Sequence, residues 1–253
     1  MRLVLFYGVL FSALLSITQG VTGPGRNVAL GEVPWQVLIL HDNTTYKCGG
    51  TLYDENTVIT AAHCLYDKRT NLRFPVEGIF VFAGGINEVS GDGRRAVRVS
   101  HPDGYVQGGG VDDIALIRVS VPFDFSEEIV PIRIAGQGSH VEIGVACGLS
   151  GFGYSRENGG TGGLREAVVE IRNPSICETE FGSNFDSSSM ICAGGGTLGT
   201  GSCNGDSGGP LVCNRVLQGV VSYAREKCGS TGIPGTYTNV GAFHDWIIES
   251  TRG

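Results

Sequence analysis

Beyond its first twenty residues the chain has no apolar run long enough to cross a bilayer as a helix. Cations are scarce. Lys and Arg number 18 against 25 Asp and Glu, for a net charge of -7. That balance excludes nucleic acid and anionic membrane surfaces as partners. The acidic residues are scattered, so there is no acidic tail. No C-x-x-C pair occurs, which argues against a zinc site. The chain also lacks a fixed-period repeat and the strand–helix alternation of a parallel α/β sheet. Helical patterns are few. The clear one is "GAFHDWIIES" near the C-terminus, where Phe243, Trp246 and Ile247 fall at i, i+3 and i+4 on one apolar face.

What is present points to short strands. The 253 residues include 41 glycines, which favour turns over long helices, and 41% are hydrophobic, enough for a sizeable core. The length fits one large all-β domain or two small ones. β-rich runs occur at "PWQVLIL" (Pro34 to Leu40), "TVITAA" (Thr57 to Ala62), "GIFVFAG" (Gly78 to Gly84) and "DIALIRVS" (Asp113 to Ser120). They continue at "VACGLSGFG" (Val145 to Gly153), "LREAVVEIR" (Leu164 to Arg172), "PLVC" (Pro210 to Cys213), "VLQGVVSY" (Val216 to Tyr223) and "GTYTNV" (Gly235 to Val240). Glycine between regular strands suggests a sandwich or barrels. "ENGGTGG" (Glu157 to Gly163) reads as a surface loop, because core-like strands lie on both sides.

Arg2, the apolar stretch Leu3 to Leu15 and the small-residue end "SITQG" form the pattern of a secretory signal over residues 1–20. Cleavage near Gly20 would leave one domain over residues 21–253, secreted and extracellular. The eight cysteines all follow that segment: Cys48, Cys64, Cys147, Cys177, Cys192, Cys203, Cys213 and Cys228. An even count in an exported chain reads as four disulfides. Spacing alone leaves on the order of a hundred connectivities. Asn43 opens the sequon "NTT", which either carries a glycan or stands unused.

The chemistry centres on "SCNGDSGGPLVC" (Ser202 to Cys213), where Ser207 stands between an aspartate and two glycines. A serine hydroxyl needs a base in hydrogen-bond reach and a group to orient that base. Of five histidines, His63 in "VITAAHC" ends a run of small residues beside a cysteine. Small neighbours let the imidazole pack tightly and leave room for a substrate. In "DDIALIR" Asp113 abuts the apolar run and is the better buried carboxylate, with Asp112 the more exposed. Gly205 to Gly209 also satisfies G-x-S-x-G, the nucleophile elbow of α/β-hydrolases. Against that reading, "GGPLVC" continues as strand and only His244 follows the serine.

"TAAHC", "DIALIR" and "GDSGGP", in that order, resemble the trypsin/chymotrypsin family of secreted serine endopeptidases. "PWQV", "CGGTL", "MICAG", "GTYTNV" and the terminal "WI" extend the resemblance from about Pro34 to Trp246. It implies two six-stranded antiparallel β-barrels around a central cleft, with a C-terminal helix. It implies hydrolysis of peptide bonds, with Ser207 as nucleophile, His63 as general base and Asp113 as its orienting acid. Gly205 and Ser207 would supply the oxyanion hole. The pairs Cys48–Cys64, Cys147–Cys213, Cys177–Cys192 and Cys203–Cys228 are likewise implied. A monomer acting on polypeptides, open to protein inhibitors and free of cofactors, is expected. The other reading is a non-catalytic homologue that binds rather than cuts. Such proteins usually lose a triad member, and this chain keeps all three.

Three departures from the family refine the expectation. The pocket position that holds aspartate in trypsins is Gly201, six residues before Ser207. With Ala224 and Gly235 as its walls and Ser202 beside it, this implies an uncharged pocket for Leu, Met, Phe or Tyr rather than Arg or Lys; of the other substrate-binding residues, Ser222 would hydrogen-bond the buried aspartate and Tyr223 would line the next subsites. Arg225, Glu226 and Lys227 would form a charged lip. The family's "IVGG" terminus, normally freed by cleavage after Arg or Lys, aligns with Thr22-Gly23-Pro24-Gly25 and follows no basic residue. Asp206, the expected anchor of that terminus, would either meet an end freed by signal cleavage at Val21 or Thr22, or lack its partner. Where trypsins hold calcium through two glutamates, this chain has Gly85 and Arg95, so no metal is expected there.

Overall fold

The computed structural model describes residues 25–42, 46–87, 90–154, 163–197, 199–224 and 231–252. The leader, the Val21–Thr22 terminus, Asn43, the Arg225–Lys227 lip and Cys228 lie outside them. Among the described residues, no helix is long and apolar enough to cross a membrane.

A short strand β1 (Arg26–Asn27) precedes six strands that close into a barrel. These are β2 (Gln36–His41), β3 (Lys47–Leu52), β4 (Thr57–Thr60), β5 (Ile79–Ala83), β6 (Asp92–Ser100) and β7 (Ala115–Val119). Their order around the barrel is β2-β3-β4-β7-β6-β5. Each is antiparallel to its neighbours, with Ile39 opposite Cys48 and Ile59 opposite Leu116. Alternation decides what fills the barrel: in β5, Ile79, Val81 and Ala83 point inward while Phe80 and Phe82 are half-buried. The inward set meets Val37, Ile39, Val58, Ile59, Ile114 and Ile117 in one core. Truncating such a buried isoleucine to alanine typically costs about 2–5 kcal/mol.

The second half is a seven-stranded sheet in the order β1-β9-β8-β11-β12-β13-β10. Its strands are β8 (Ala146–Gly151), β9 (Arg165–Glu170), β10 (Met190–Ala193), β11 (Pro210–Cys213), β12 (Val216–Tyr223) and β13 (Gly235–Asn239). The expectation of a second six-stranded barrel is met with a difference. The sheet curls until its β9 and β10 ends meet, but one isolated bridge, Ile171 to Ala193, takes the place of a ladder. β1 adds a seventh strand beyond β9. "LREAVVEIR", despite its helix formers, is strand β9, because Ala167 and Val169 alternate into the core.

Two helices flank the sheets. α2 (His244–Thr251) is the C-terminal one, with Ile247 fully buried. Helix α1 (Pro174–Phe181) is absent from the sequence reading, although its start signal is there. The Asn173 side chain accepts the Ser175 N–H, and Pro174 occupies the first turn where no N–H is needed. Cys177–Cys192 ties α1 to β10, Cys147–Cys213 joins β8 to β11, and Cys48–Cys64 ties β3 to the turn after β4. Cys203 is also disulfide-bonded.

The halves meet backbone to backbone. A side chain on Gly49 would lie 2.9 Å from the Gly209 Cα, so only glycine lets the strands approach so closely. Gly49 N donates to the Ser207 carbonyl at 2.8 Å, and buried Ser150 Oγ donates to Gln36 Oε1 at 2.7 Å. This seam positions the site described next.

Candidate active site

His63 does not end a strand. It sits in a single 3-10 turn, Ala62–Leu65, that follows β4. Ala61, Ala62 and Cys64 are fully buried around it, so the imidazole keeps a partly open face. Its Nδ1 lies 2.7 Å from Asp113 Oδ2, and its backbone N–H donates to Asp113 Oδ1 at 2.9 Å. Ser222 Oγ donates to Asp113 Oδ2 at 2.6 Å. Thr238 Oγ1 holds the Asp113 carbonyl at 2.7 Å. Asp113 is therefore buried with both carboxylate oxygens engaged. Burial opposes its charge, but His63 and the three hydrogen bonds outweigh it and hold the carboxyl below its ordinary value. Asp112 takes a left-handed backbone (φ 56°) and is only half-buried.

Ser207 arrives from the other half. Its carbonyl lies 3.6 Å from Cys64 Sγ, the residue next to His63. Two tight turns carry it: Asp206 N donates to Cys203 O at 3.0 Å, and Gly209 N donates to Asp206 O at 2.9 Å. Gly208 has φ +80°, and a side chain there would strike Thr60 Oγ1 at 2.2 Å, so both conformation and space demand glycine. Among the described residues, neither the Gly205 N–H nor the Ser207 N–H donates to another backbone group.

Asp206 faces away from this cleft. It is buried against Gly151 and Gly153, accepting the Gly153 N–H and the Cys203 N–H at 2.8 Å each. Burial pushes its carboxyl up to about 6, against the two N–H groups and the Lys47 charge. The unfolded chain releases this proton near 3.8. The fold thus holds the proton through a window from about 4 to 6, and stability falls as pH rises across it, by about 3 kcal/mol at most. Urea titrations at pH 4 and pH 7 of the Ser207→Ala chain with residues 1–20 uncleaved, where no freed amino terminus pairs with Asp206, should show this loss. Asp206→Asn on that background should flatten it. Equal pH slopes for the two proteins would contradict the assignment.

At the pocket positions, a side chain on Gly201 would meet nothing within 4 Å. On Gly235 it would meet only ordinary contacts, Ser202 Oγ at 3.5 Å and Tyr223 O at 3.7 Å. Ser202 is buried and Ala224 half-buried. Tyr223 is half-exposed and meets Phe181 edge-on at 5.8 Å. Donor atoms of Cys48, His63 and Cys64 lie within 4.8 Å of one another, but both sulfurs are joined in a disulfide and are not the thiolates a metal needs. Arg95 stacks on Phe80 at 4.9 Å.

A cavity of about 330 Å³ opens beside His63 and Asp113. Its further walls are Ser222, Tyr223, Lys68, Asn71, Gln107, Gly108 and Gly109. The last five come from two loops that sequence reasoning did not single out. Their loop composition gave no signal, because only the closed barrel brings them beside His63.

An imidazole held by a buried carboxylate, on one side of a seam to which a serine turn from the other β half is hydrogen-bonded, fits the constellation of a serine hydrolase. The Trypsin family model matches residues 23–247. Kallikrein-7 of Homo sapiens is 34% identical over 236 residues, covering 90% of this chain and 86% of that protein. Kallikrein-4 of Homo sapiens is 33% identical over 235 residues, covering 90% and 86%. Ovochymase of Halocynthia roretzi is 34% identical over 235 residues; the match takes in 88% of this chain but only 14% of that longer protein. Among solved structures, neuropsin, a serine protease expressed in the limbic system of mouse brain, superposes with a TM-score of 0.78 at 28% identity, covering 90% of this chain and 98% of that one. The chain belongs to the trypsin family of serine endopeptidases.

Proposed function

We propose that this protease is exported as a monomer and cleaves polypeptides after uncharged, apolar side chains, with Ser207, His63 and Asp113 as its triad. The observation that carries the triad is the 2.7 Å contact of His63 Nδ1 with a carboxylate already fixed by two other donors, the His63 N–H and Ser222 Oγ. That contact keeps the proton on Nδ1 and leaves Nε2 free to accept one. His63 takes the Ser207 proton as Oγ attacks the scissile carbonyl. The oxygen, now negative, is received by the Gly205 and Ser207 N–H groups, worth about 10² to 10³ in turnover per donor. His63 then protonates the leaving amine. Water enters, loses a proton to His63 and hydrolyses the acyl-enzyme.

The apolar preference is supported by open space at Gly201, with no carboxylate where a cationic side chain would end. Gly235 keeps one wall of the pocket clear. Gly235→Val should therefore fold and narrow the pocket. We expect kcat/KM for Phe or Tyr substrates to fall by about 10² while Ala substrates change little. Equal losses for both would mean that Gly235 does not line the pocket. Exposure of Val21 or Thr22 by signal cleavage would supply an ammonium for Asp206 without an activating protease. N-terminal sequencing of the active secreted protein tests that step; a mature start well beyond Thr22 overturns it. The function as a whole is tested by fluorophosphonate labelling and a peptide-library profile. A folded protein that neither labels nor cleaves would be a binding homologue.

A further inference from the structure

We infer that Lys68 makes the cavity beside His63 selective for an acidic substrate residue. The relevant position is P2, the residue on the amino side of the one that fills the Gly201 pocket. This rests on the proposed function and deepens it.

Lys68 is exposed along its length, as a surface lysine usually is, but its head does not project into bulk water. The ammonium lies over the Tyr46 ring, 5.1 Å from its centre, and lines the cavity. Tyr46 is itself held in a stack, 6.0 Å from Phe74 and 5.6 Å from His41. The loop that presents Lys68 is closed on itself. Asp67 N donates to Leu72 O at 2.9 Å, Asn71 N donates to Asp67 O at 2.8 Å, and Asp67 Oδ1 accepts the Arg69 N–H at 2.8 Å. Tyr66 and Arg73 pair at its base. Across the cavity, Gln107 Nε2 donates to Asn71 Oδ1 at 3.2 Å, bridging the two loops.

Lys68 carries the one ammonium on these walls, and the charge of Asp113 acts on it. Asp113 is the one carboxylate there, and its oxygens are engaged by His63 and Ser222. No carboxylate of a described residue pairs with Lys68. The other cavity-facing polar groups, on Asn71 and Gln107, are neutral amides. Tyr223 lines this cavity while its carbonyl would lie 3.7 Å from a side chain on Gly235, and His63 also lines the cavity. A substrate residue adjoining P1 therefore enters here, and a Glu or Asp carboxylate meets an ammonium that no described carboxylate contacts directly. A Lys or Arg at that position meets repulsion. The two outcomes separate substrates by charge, independently of the apolar P1 pocket.

The test uses the mature enzyme and fluorogenic peptides that share one P1 residue and carry Glu, Gln or Lys at P2. Wild type should prefer Glu over Gln by about fivefold in kcat/KM, mainly through KM, and the preference should shrink as salt rises. Lys68→Met should bring the ratio of Glu to Gln cleavage within that variant down to about one. Lys68→Glu should invert it in favour of Lys. Fluorophosphonate labelling of each variant confirms that it is folded and competent. Efficient cleavage of the Gln peptide with no Glu preference, or a preference that survives Lys68→Glu, overturns this inference alone. Failure to cut any peptide overturns the proposed function with it.

Discussion

Ser207→Ala is expected to lower kcat by about 10⁶, the scale seen when a nucleophile of this kind is removed. The loss should be confined to chemistry. Ser207 joins the halves through its carbonyl, which accepts the Gly49 N–H, and alanine keeps that carbonyl. The site is only partly buried, so no cavity opens in a core. The variant should therefore match wild type in near-UV circular dichroism and substrate affinity, and should fail to label with a fluorophosphonate. Slow turnover should survive at about 10³ to 10⁴ over water, because binding and the two free N–H groups remain. A variant within tenfold of wild type would show that the nucleophile is elsewhere.

Asp113→Asn is expected to cost about 10⁴ in kcat with little change in fold. The amide is isosteric, and Thr238 grips the main-chain carbonyl, which is unchanged. What changes is the sense of the hydrogen bonds. The carboxylate accepts from the His63 ring, the His63 backbone and Ser222. An asparagine has one acceptor oxygen for these donors. If its amide turns toward Nδ1, that nitrogen must accept, the ring proton moves to Nε2, and the base is lost. Ser222→Ala removes one support and leaves the tautomer alone, so it should cost far less, about tenfold. Steady-state kinetics on both variants distinguish these roles. Comparable losses would reduce Asp113 to a packing residue.

These effects follow from residues that the sequence already marks, and the reason is local. "TAAHC", "DIALIR" and "GDSGGP" carry their chemistry in neighbouring residues: small residues beside an imidazole, an acid abutting an apolar run, glycines around a hydroxyl. The strands were legible where short β-rich runs stood between turn residues, as in β5 and β7. β3 and β6 were harder to see. "KCGGTL" has two glycines where side chains would alternate: Gly49 allows the close approach to Gly209, and a side chain on Gly50 would strike Val58 and Val37. In "DGRRAVRVS" Arg95 and Arg98 are exposed, with Arg95 along Phe80, while half-buried Arg94 lies over Phe123. Helix α1 had a readable cap in Asn173-Pro174 but too short a pattern to register. Lys68 was out of reach for another reason. Its meaning depends on Tyr46, Gln107 and His63, which only barrel closure brings together.

The contact between Gly49 and Gly209 has a further consequence. With main chains pressed together and Gln36 bound across the seam, the two halves resemble a vice whose jaws are set at a fixed width. Such an enzyme has little room to remould itself around a rigid target, so pliancy must come from the prey. Cleavage will concentrate where the target chain can straighten, in unstructured tails and long loops, and a tightly folded protein will survive until it locally unravels. The opening equilibrium of the substrate, as much as its sequence, then sets which bonds are cut.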